Sequence, residues 1–347
     1  MNIHPVPSSS LAVVIDAVGT HELRETKVPV LADDEVLVKV AYVGVCATDL
    51  EVMEGELTYY RNGTAFYPIV PGHEYSGVVV QAGPQAEGIA VGDHVVGECA
   101  MGCGECEWCD RGEYFRCAHR TEVGIVNKDG AYARYMSLPA SYAHKLPDGL
   151  TLRRAAVIEP TAVCVKATGK LRAEPGKSVC IFGAGSIGNL CTQILRAQGI
   201  EVTVVDRDPA RLALLGKYGA ATATALDDLS SFDYLLEATG NAALIPPLIE
   251  RSKPSVRIVL MGIPYLEPVE VSFASFPANE KEMLGSIASH YDDWEEAIRL
   301  VSEGVINLDD HIGEILPLES YAQAWQWQRE RAHLKVLLST NQDLRDA

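Results

Sequence analysis

The chain has 347 residues, 48% of them hydrophobic, which is enough for two domains with large cores. Its formal net charge of -18 and its isoelectric point near 4.9 argue against nucleic acid or an anionic membrane as a partner. No apolar run reaches the roughly 18 residues that a membrane span needs. Residues 1–10 lack the basic and apolar regions of a secretory signal, so we expect a cytoplasmic protein.

The N-terminal region is predicted to be rich in β-structure, since residues 11–16 and 35–43 have the composition of strands. Cys46 follows the second strand, and a lone cysteine is more often a small buried group than a ligand. The adjacent pair His73 and Glu74 changes that interpretation. A thiolate, an imidazole and a carboxylate are ligand types that zinc accepts, so the sequence predicts a zinc site here.

Four of the nine cysteines crowd into a short glycine-rich lobe. They are Cys103, Cys106, Cys109 and Cys117. In a reducing compartment this crowding indicates metal rather than disulfides. Four thiolates close a tetrahedral zinc shell that leaves no open position, which predicts a structural site without chemistry. Cys99 lies just outside the pattern, and we interpret it as a bystander.

A dinucleotide-binding fingerprint begins after the apolar run 178–182. A glycine turn at 183–188 opens a helix of apolar residues at helical spacing, and a second apolar run then stops at Asp206. A dinucleotide-binding fingerprint requires this context, namely a strand, a glycine turn, a helix, a second strand and then an acid. In such a fingerprint the helix N–H groups face the pyrophosphate. The candidate cofactor residues are Gly183, Gly185, Ser186, Ile187, Gly188 and Asp206.

The remaining sequence alternates strands with helices, which predicts a parallel, doubly wound sheet. Residues 153–171 are mostly helical and are interrupted at Glu159-Pro160. The later helices are predicted at 209–218, 242–251, 294–302 and 320–331, and the later strands at 232–238, 256–262, 311–316 and 334–339. The tail from Thr340 is polar, and we expect it to fray.

Three boxes make the sequence resemble the zinc-dependent medium-chain alcohol dehydrogenases, in the polyol, threonine and sugar dehydrogenase branch. They are Cys46-Ala47-Thr48-Asp49, Gly72-His73-Glu74 and Glu159-Pro160. The resemblance covers residues 11–339 and implies an α/β protein with two domains. A Rossmann dinucleotide-binding domain at 153–304 is expected beside a β-rich GroES-like catalytic domain at 1–152 and 305–347.

The resemblance also implies the roles of the metal-site residues. Cys46 and His73 would bind a catalytic zinc, with Glu74 either a further ligand or an ion-paired group behind it. Glu159 would face this zinc directly or through water. The lobe would hold a second, structural zinc in each subunit.

Zinc as a Lewis acid lowers the pKa of an alcohol, and the hydride passes to the nicotinamide. By resemblance, Thr48 takes the proton of the substrate hydroxyl and Asp49 supports the zinc-ligand histidine. Many family members have a histidine three residues after this threonine, where this chain has Glu51. Glu51 either carries the proton outward, binds a ligand hydroxyl or is merely solvated.

The acid at the end of the second strand predicts NAD in preference to NADP. Asp206 would accept the adenosine ribose hydroxyls and repel a 2′-phosphate, although Arg207 and Arg211 nearby would attract one. By resemblance, Thr239 and the turn 261–264, with Gly262 and Ile263, flank the nicotinamide.

The hypothesis is therefore a zinc-dependent dehydrogenase that oxidises a secondary alcohol with NAD+. The branch implies a small polar alcohol or ketone as substrate, from the polyols, sugars, cyclitols or amino alcohols, and a homodimer or homotetramer. An NADP-linked carbonyl reductase on the same scaffold and a non-catalytic dinucleotide-binding protein are the alternatives. The residues Tyr59, Tyr60, Arg61 and Phe66 are candidates for the pocket wall that the sequence alone does not assign.

Overall fold

The structure is a computed structural model that describes residues 5–263 and 268–344. Its contacts divide the chain into two compact units. The first unit contains Met1–Pro160, Ala288–Gly304 and Leu308–Ala347, and the second contains Thr161–Ile287 and Val305–Asn307. No helix of the described ranges is both long and apolar enough to span a membrane.

The N-terminal part of the first unit is mostly β-structure. Its strands are β1 (Ser9–Ala17), β2 (Thr20–Lys27), β3 (Glu35–Gly44), β4 (Glu74–Ala82), β5 (His94–Gly97), β6 (Ala100–Met101), β7 (Thr121–Val123), β8 (Asn127–Lys128), β9 (Tyr135–Pro139) and β10 (Ala143–Lys145). Its helices are α1 (Ala47–Glu54), α2 (Thr58–Arg61), α3 (Glu107–Asp110) and α4 (Leu152–Ala155), with 3-10 turns at Tyr114–Arg116 and Ala140–Tyr142. Helix α5 (Ile158–Leu171) follows.

The central part of the chain alternates strands and helices, as predicted. Its strands are β11 (Ser178–Phe182), β12 (Glu201–Val205), β13 (Ala221–Ala223), β14 (Tyr234–Glu237), β15 (Arg257–Leu260) and β16 (Glu282–Gly285). Its helices are α6 (Ser186–Ala197), α7 (Pro209–Lys217), α8 (Ile245–Glu250) and α9 (Ser275–Asn279), with a 3-10 turn at Ala242–Leu244. All pairings between these strands are parallel, in the order β13-β12-β11-β14-β15-β16. The predicted doubly wound sheet is confirmed.

The C-terminal part returns to the first unit. It contains α10 (Tyr291–Ser302), β17 (Ile312–Pro317), α11 (Tyr321–Glu330) and β18 (Lys335–Ser339), with 3-10 turns at Leu318–Ser320 and Gln342–Leu344. Strand β18 pairs antiparallel with β3 and parallel with β17, which completes a sheet of order β10-β5-β4-β3-β18-β17. Strand β9 also pairs with β3, so this sheet has seven strands. Strand β18 thus lies beside the end of β3, where the predicted metal site begins.

Helix α10 groups with the first unit, whereas the sequence prediction assigned residues up to 304 to the second. The reason is local packing. The Trp294 ring, buried on α10, stacks on His144 of β10 at 5.5 Å, and Glu295 Oε1 lies 2.6 Å from His144 Nδ1.

Two smaller sequence expectations are wrong. The helical break falls between α4 and α5, and Glu159-Pro160 lies in the first turn of α5, where a proline costs no hydrogen bond. The tail from Thr340 does not fray at its start, because Thr340 and Asn341 are buried. The Asn341 side-chain amide donates to the carbonyl oxygens of Val40 at 2.7 Å and Arg134 at 3.0 Å.

Candidate metal and dinucleotide sites

Three predicted metal ligands converge where β3, α1 and β4 meet. Cys46 caps the N-terminus of α1 just after β3, and His73 and Glu74 lie at the start of β4. One ligand atom from each of the three lies within 4.8 Å of the other two. His73 and Glu74 are buried and Cys46 is half-buried. Sulfur, nitrogen and carboxylate oxygen in one partly enclosed group are a donor set that fits zinc.

Asp49 lies beside the histidine that the resemblance assigns to it. Its carboxylate is fully buried, and Oδ1 lies 3.5 Å from Nδ1 of His73. The other oxygen, Oδ2, accepts from the backbone N–H of Cys46 at 2.9 Å. Burial opposes a charge on His73, but the partners Asp49 and Cys46 raise its pKa well above the ordinary value. With Nδ1 directed to Asp49, Nε2 of His73 is the nitrogen left for a metal.

Glu74 forms an ion pair with a lysine that the sequence analysis missed. The ammonium of Lys335, at the start of β18, lies 2.7 Å from Oε1 and 2.6 Å from Oε2 of Glu74. Lys335 Nζ also lies 3.3 Å from the carbonyl oxygen of Val45. Both charged side chains are buried, so the pair is a buried salt bridge against the metal group. Both predicted alternatives for Glu74 therefore stay open. Its carboxylate lies among the candidate metal ligands, and it is also paired with a lysine.

The other predicted catalytic residues lie outside this three-residue group. Glu159 is half-buried in the first turn of α5 and does not belong to the three-residue group. Burial raises its pKa to about 7, with Glu74 adding to the shift and His73 opposing it. Thr48 and Glu51 are half-buried on α1. The pKa of Glu51 is raised, first by burial and then by the charges of Glu56 and Glu54.

The four cysteines of the lobe are brought together as predicted. The sulfurs of Cys103, Cys106, Cys109 and Cys117 all lie within 4.8 Å of one another. Cys99 is outside this group, and none of the nine cysteines forms a disulfide. Burial opposes ionisation of Cys117, but N–H groups of Cys103 and His119 lower its pKa to about 7. The donor set fits a closed four-thiolate zinc site.

The glycine fingerprint of the second unit forms a tight turn that packs closely against the start of a helix. Gly183 has a φ of 106°, which favours glycine, and helix α6 begins at Ser186. A Cβ on Gly188 would lie 1.8 Å from the carbonyl oxygen of Gly183, so the helix can approach the turn only without a side chain there. Gly185 is the N-cap of α6 and Ile187 lies in its first turn, and among the described residues no side chain caps this helix end; helix starts of this kind can bind anions.

Asp206 is fixed at the end of β12. Its Oδ2 accepts from the backbone N–H of Ala184 at 2.7 Å, and its Oδ1 accepts from that of Asp208 at 2.9 Å. The carboxylate is thus tied to the glycine turn. Arg207 is exposed, whereas Arg211 on α7 is half-buried and pairs with Asp208 at 3.3 Å. The Arg211 guanidinium also lies beside Gly185.

Thr239, Gly262 and Ile263 lie past the ends of β14 and β15, the edge at which a parallel sheet binds ligands. Thr239 is close to Gly183, which brings it to the fingerprint turn. Buried Glu237 accepts from the backbone N–H groups of Thr239 at 2.7 Å and Gly240 at 3.1 Å. Pro264, the last residue of the predicted turn, lies outside the described residues.

Two family models match the chain in succession. Residues 32–148 match the alcohol dehydrogenase GroES-like domain, and residues 153–339 match the glucose dehydrogenase C-terminus. The chain belongs to the medium-chain alcohol dehydrogenase family. The predicted family and fold class are confirmed, and the protein is an alcohol dehydrogenase.

Relatives of this dehydrogenase match over nearly its whole length. It is 33% identical over 333 residues to D-arabitol-phosphate dehydrogenase of Enterococcus avium, covering 91% of this chain and 93% of that protein. Its fold matches a zinc-binding dehydrogenase of Sinorhizobium meliloti bound to NADP, with a TM-score of 0.88 and 28% identity, over 96% and 100% of the two chains. Galactitol-1-phosphate dehydrogenase of Escherichia coli matches with a TM-score of 0.85 and 29% identity, over 95% and 100%.

The candidate pocket residues of this dehydrogenase have mixed environments. Tyr60 is half-buried, stacks on Tyr67 at 4.5 Å and donates to the carbonyl oxygen of Ile125 at 2.9 Å. Tyr59 is half-buried and accepts from Arg120 at 2.5 Å. Arg61 and Phe66 are exposed. None of the four belongs to the metal group, and their place in a substrate pocket stays a prediction.

Sequence reasoning could have found one of the missed residues. Lys335 directly precedes three apolar residues of a buried strand, and a charge in such a strand requires a buried partner. That signal predicts a buried ion pair but does not identify Glu74 as the partner. Tyr132, which donates to Asp49, and Trp325, which donates to Tyr132, are aromatic core residues with no sequence signal of their own.

Proposed function

We propose that this dehydrogenase oxidises a secondary alcohol of a polyol, sugar, cyclitol or amino alcohol, depends on zinc and uses NAD+. The observation that carries the proposal is the convergence of Cys46, His73 and Glu74 in one group, in a chain that also has a complete dinucleotide fingerprint. The two relatives named for arabitol phosphate and galactitol 1-phosphate support a polyhydroxy substrate.

Several site residues of the first unit have distinct tasks in this proposal. Zinc, when bound, supplies Lewis acidity to the alcohol oxygen. Cys46 and His73 would hold it, and Asp49 would keep the His73 ring in the binding orientation. Thr48 would accept the proton of the substrate hydroxyl. Glu51 is half-buried, which favours a role in passing that proton outward over a merely solvated side chain.

The second unit would bind the dinucleotide, whose nicotinamide accepts the hydride. The anchored carboxylate of Asp206 supports NAD, because it would accept ribose hydroxyls and repel a 2′-phosphate. Arg211 beside Gly185 is the observation that favours the NADP alternative. Thr239, Gly262 and Ile263 would border the nicotinamide.

Turnover measured on a panel of substrates tests this proposal. The panel contains xylitol, D-arabitol, galactitol, myo-inositol and L-threonine, each with NAD+ and with NADP+. We expect two zinc ions per chain, oxidation of at least one compound with NAD+, and loss of turnover in Cys46→Ser with one zinc remaining. Cys99→Ser is the matched control, because Cys99 belongs to neither metal group. Two zinc ions with no oxidation of any compound, or normal turnover in Cys46→Ser, would contradict the proposal.

We also propose, from the family resemblance, that the enzyme is a cytoplasmic homodimer or homotetramer. Sedimentation equilibrium of the zinc-loaded protein would distinguish these states, and a monomer at micromolar concentration would rule out both.

A further inference from the structure

We propose that Tyr132 and Trp325 are positioning residues of the metal site. They form a buried chain of hydrogen bonds that fixes the carboxylate of Asp49 against His73. The inference rests on the proposed function in one respect, namely that His73 binds the metal. It assigns a task to two side chains that lie far from Asp49 in the sequence.

The first link of the chain is between Tyr132 and Asp49. The Tyr132 hydroxyl donates to Oδ2 of Asp49 at 3.0 Å, and Tyr132 and Asp49 are both fully buried. Oδ2 also accepts from the backbone N–H of Cys46, so this oxygen has two donors. The carboxylate plane is thereby set, and Oδ1 is left to face Nδ1 of His73.

The second link determines the direction of the first. Trp325 Nε1 lies 3.3 Å from the Tyr132 hydroxyl oxygen, and the Trp325 side chain is buried. An indole N–H can only donate, so the hydroxyl oxygen accepts from Trp325 and directs its single hydrogen to Asp49. A tyrosine without this neighbour could rotate its hydroxyl away from the carboxylate.

Tyr132 is also fixed to the turn that carries His73. Its backbone N–H donates to the carbonyl oxygen of Pro71 at 2.9 Å. Its ring packs so closely on Gly72 that a Cβ there would lie 2.3 Å from a ring carbon. The tyrosine therefore spans from the residues just before His73 to the acid that orients the His73 ring.

Partners that orient a histidine ligand typically change metal affinity by about 10–100-fold when removed. We therefore expect Tyr132→Phe to weaken zinc binding at the Cys46 site by about tenfold, since Asp49 keeps the donor from Cys46. Trp325→Phe should act in the same direction and less strongly. The kcat should fall more than the KM changes, because the altered group is the metal and not a substrate contact.

The matched control is Tyr75→Phe. Tyr75 is also a buried tyrosine of the first unit, and its hydroxyl has no hydrogen-bond partner among the described residues. Loss of that hydroxyl should leave the zinc affinity and the kcat within twofold of the wild type. Comparing the two variants separates the effect of removing a buried phenolic oxygen from the effect of losing the hydrogen bond between Tyr132 and Asp49.

The experiment is competition of each full-length variant with a chromophoric chelator for zinc, followed by substitution with cobalt(II). We expect a tenfold lower zinc affinity and shifted cobalt d–d bands for Tyr132→Phe, with an unfolding midpoint close to that of Tyr75→Phe. Wild-type affinity and wild-type bands in a folded Tyr132→Phe would overturn the inference and leave the proposed function standing. If the wild type oxidises no alcohol while Tyr132→Phe still loses zinc, the proposed function fails and the inference stands.

Discussion

The carboxylate of Asp206 is fixed by two backbone N–H groups, which makes it a defined test of cofactor choice. We expect Asp206→Ser to lower kcat/KM for NAD+ by at least tenfold, because hydrogen bonds to a charged group contribute about 1.5–3 kcal/mol each. The value for NADP+ should rise relative to it, since the like charge is removed. The measurement is the ratio of the two kcat/KM values.

Asp227→Ser is the control for that substitution, because its side chain is fully exposed and remains outside the fingerprint. An unchanged ratio in Asp206→Ser would mean that this carboxylate does not meet the ribose. A wild type that already prefers NADP+ would contradict the cofactor proposal directly.

Lys335 gives a second prediction for a single side chain. Lys335→Met leaves the buried carboxylate of Glu74 without its ion-pair partner, which should lower the free energy of unfolding by about 3–5 kcal/mol. Zinc should restore part of this loss, because its charge lies beside the same carboxylate. Urea unfolding with and without zinc measures both effects.

Lys145→Met provides the comparison on the surface. Lys145 pairs with Asp93 at 2.6 Å but its side chain is 60% exposed, so we expect a change below about 1 kcal/mol. Equal losses in the two variants would show that the pair of Lys335 and Glu74 gains nothing from its burial.

Among the elements, the four-cysteine lobe should act on stability rather than on chemistry. Cys106→Ser opens the closed set of thiolates, and metal binding of this kind is coupled to folding. We expect loss of one zinc, a lower melting temperature and only an indirect fall in activity. A variant that keeps both its zinc content and its melting temperature would contradict a structural zinc site.

Elements defined by neighbouring residues could be predicted from the sequence. The glycine turn, the cysteine spacing and the strand at 178–182 depend on nearby residues, and the structure has each of them. The predicted interruption at Pro160 is wrong because a proline in the first turn of a helix does not break it. The buried start of the tail could not be predicted, because Asn341 bonds to backbone 301 positions away.

In the candidate site, too, contacts between residues close in sequence could be predicted and contacts between distant residues could not. Cys46, His73 and Glu74 were predicted from residue types within a short stretch. Lys335 lies 261 positions from Glu74, and only the placement of β18 beside β3 brings the two together. Contacts of this kind depend on topology, which local residue patterns in a sequence do not reveal.

For the whole molecule, His311 predicts a pH dependence of stability. It is fully buried, and burial followed by the charge of Lys335 lowers its pKa to about 3. The native ring stays neutral while the unfolded ring takes up a proton below its ordinary pKa of 6.5. The contribution of His311 to stability is therefore present above pH 6.5 and is lost as the pH falls from there toward 3, by up to about 1.4 kcal/mol per pH unit.

Urea unfolding at pH 7, 6 and 5 checks this sign. His311→Asn should show a shallower fall in the free energy of unfolding than the wild type, whereas His119→Asn, at an exposed position, should match the wild type. A His311→Asn variant whose free energy of unfolding falls as steeply with pH as that of the wild type would contradict a neutral, buried His311.

The discontinuity of the first unit has a consequence for the order of folding. Thr161–Ile287 is one continuous stretch that contains a complete parallel sheet, so it can reach its fold during synthesis. The seven-stranded sheet needs β18, which leaves the ribosome last among the strands. Glu74 and Tyr132 are synthesised early, yet their partners Lys335 and Trp325 follow only near the end of the chain. The nascent chain can therefore complete its glycine fingerprint before the candidate metal ligands gain all of their buried partners.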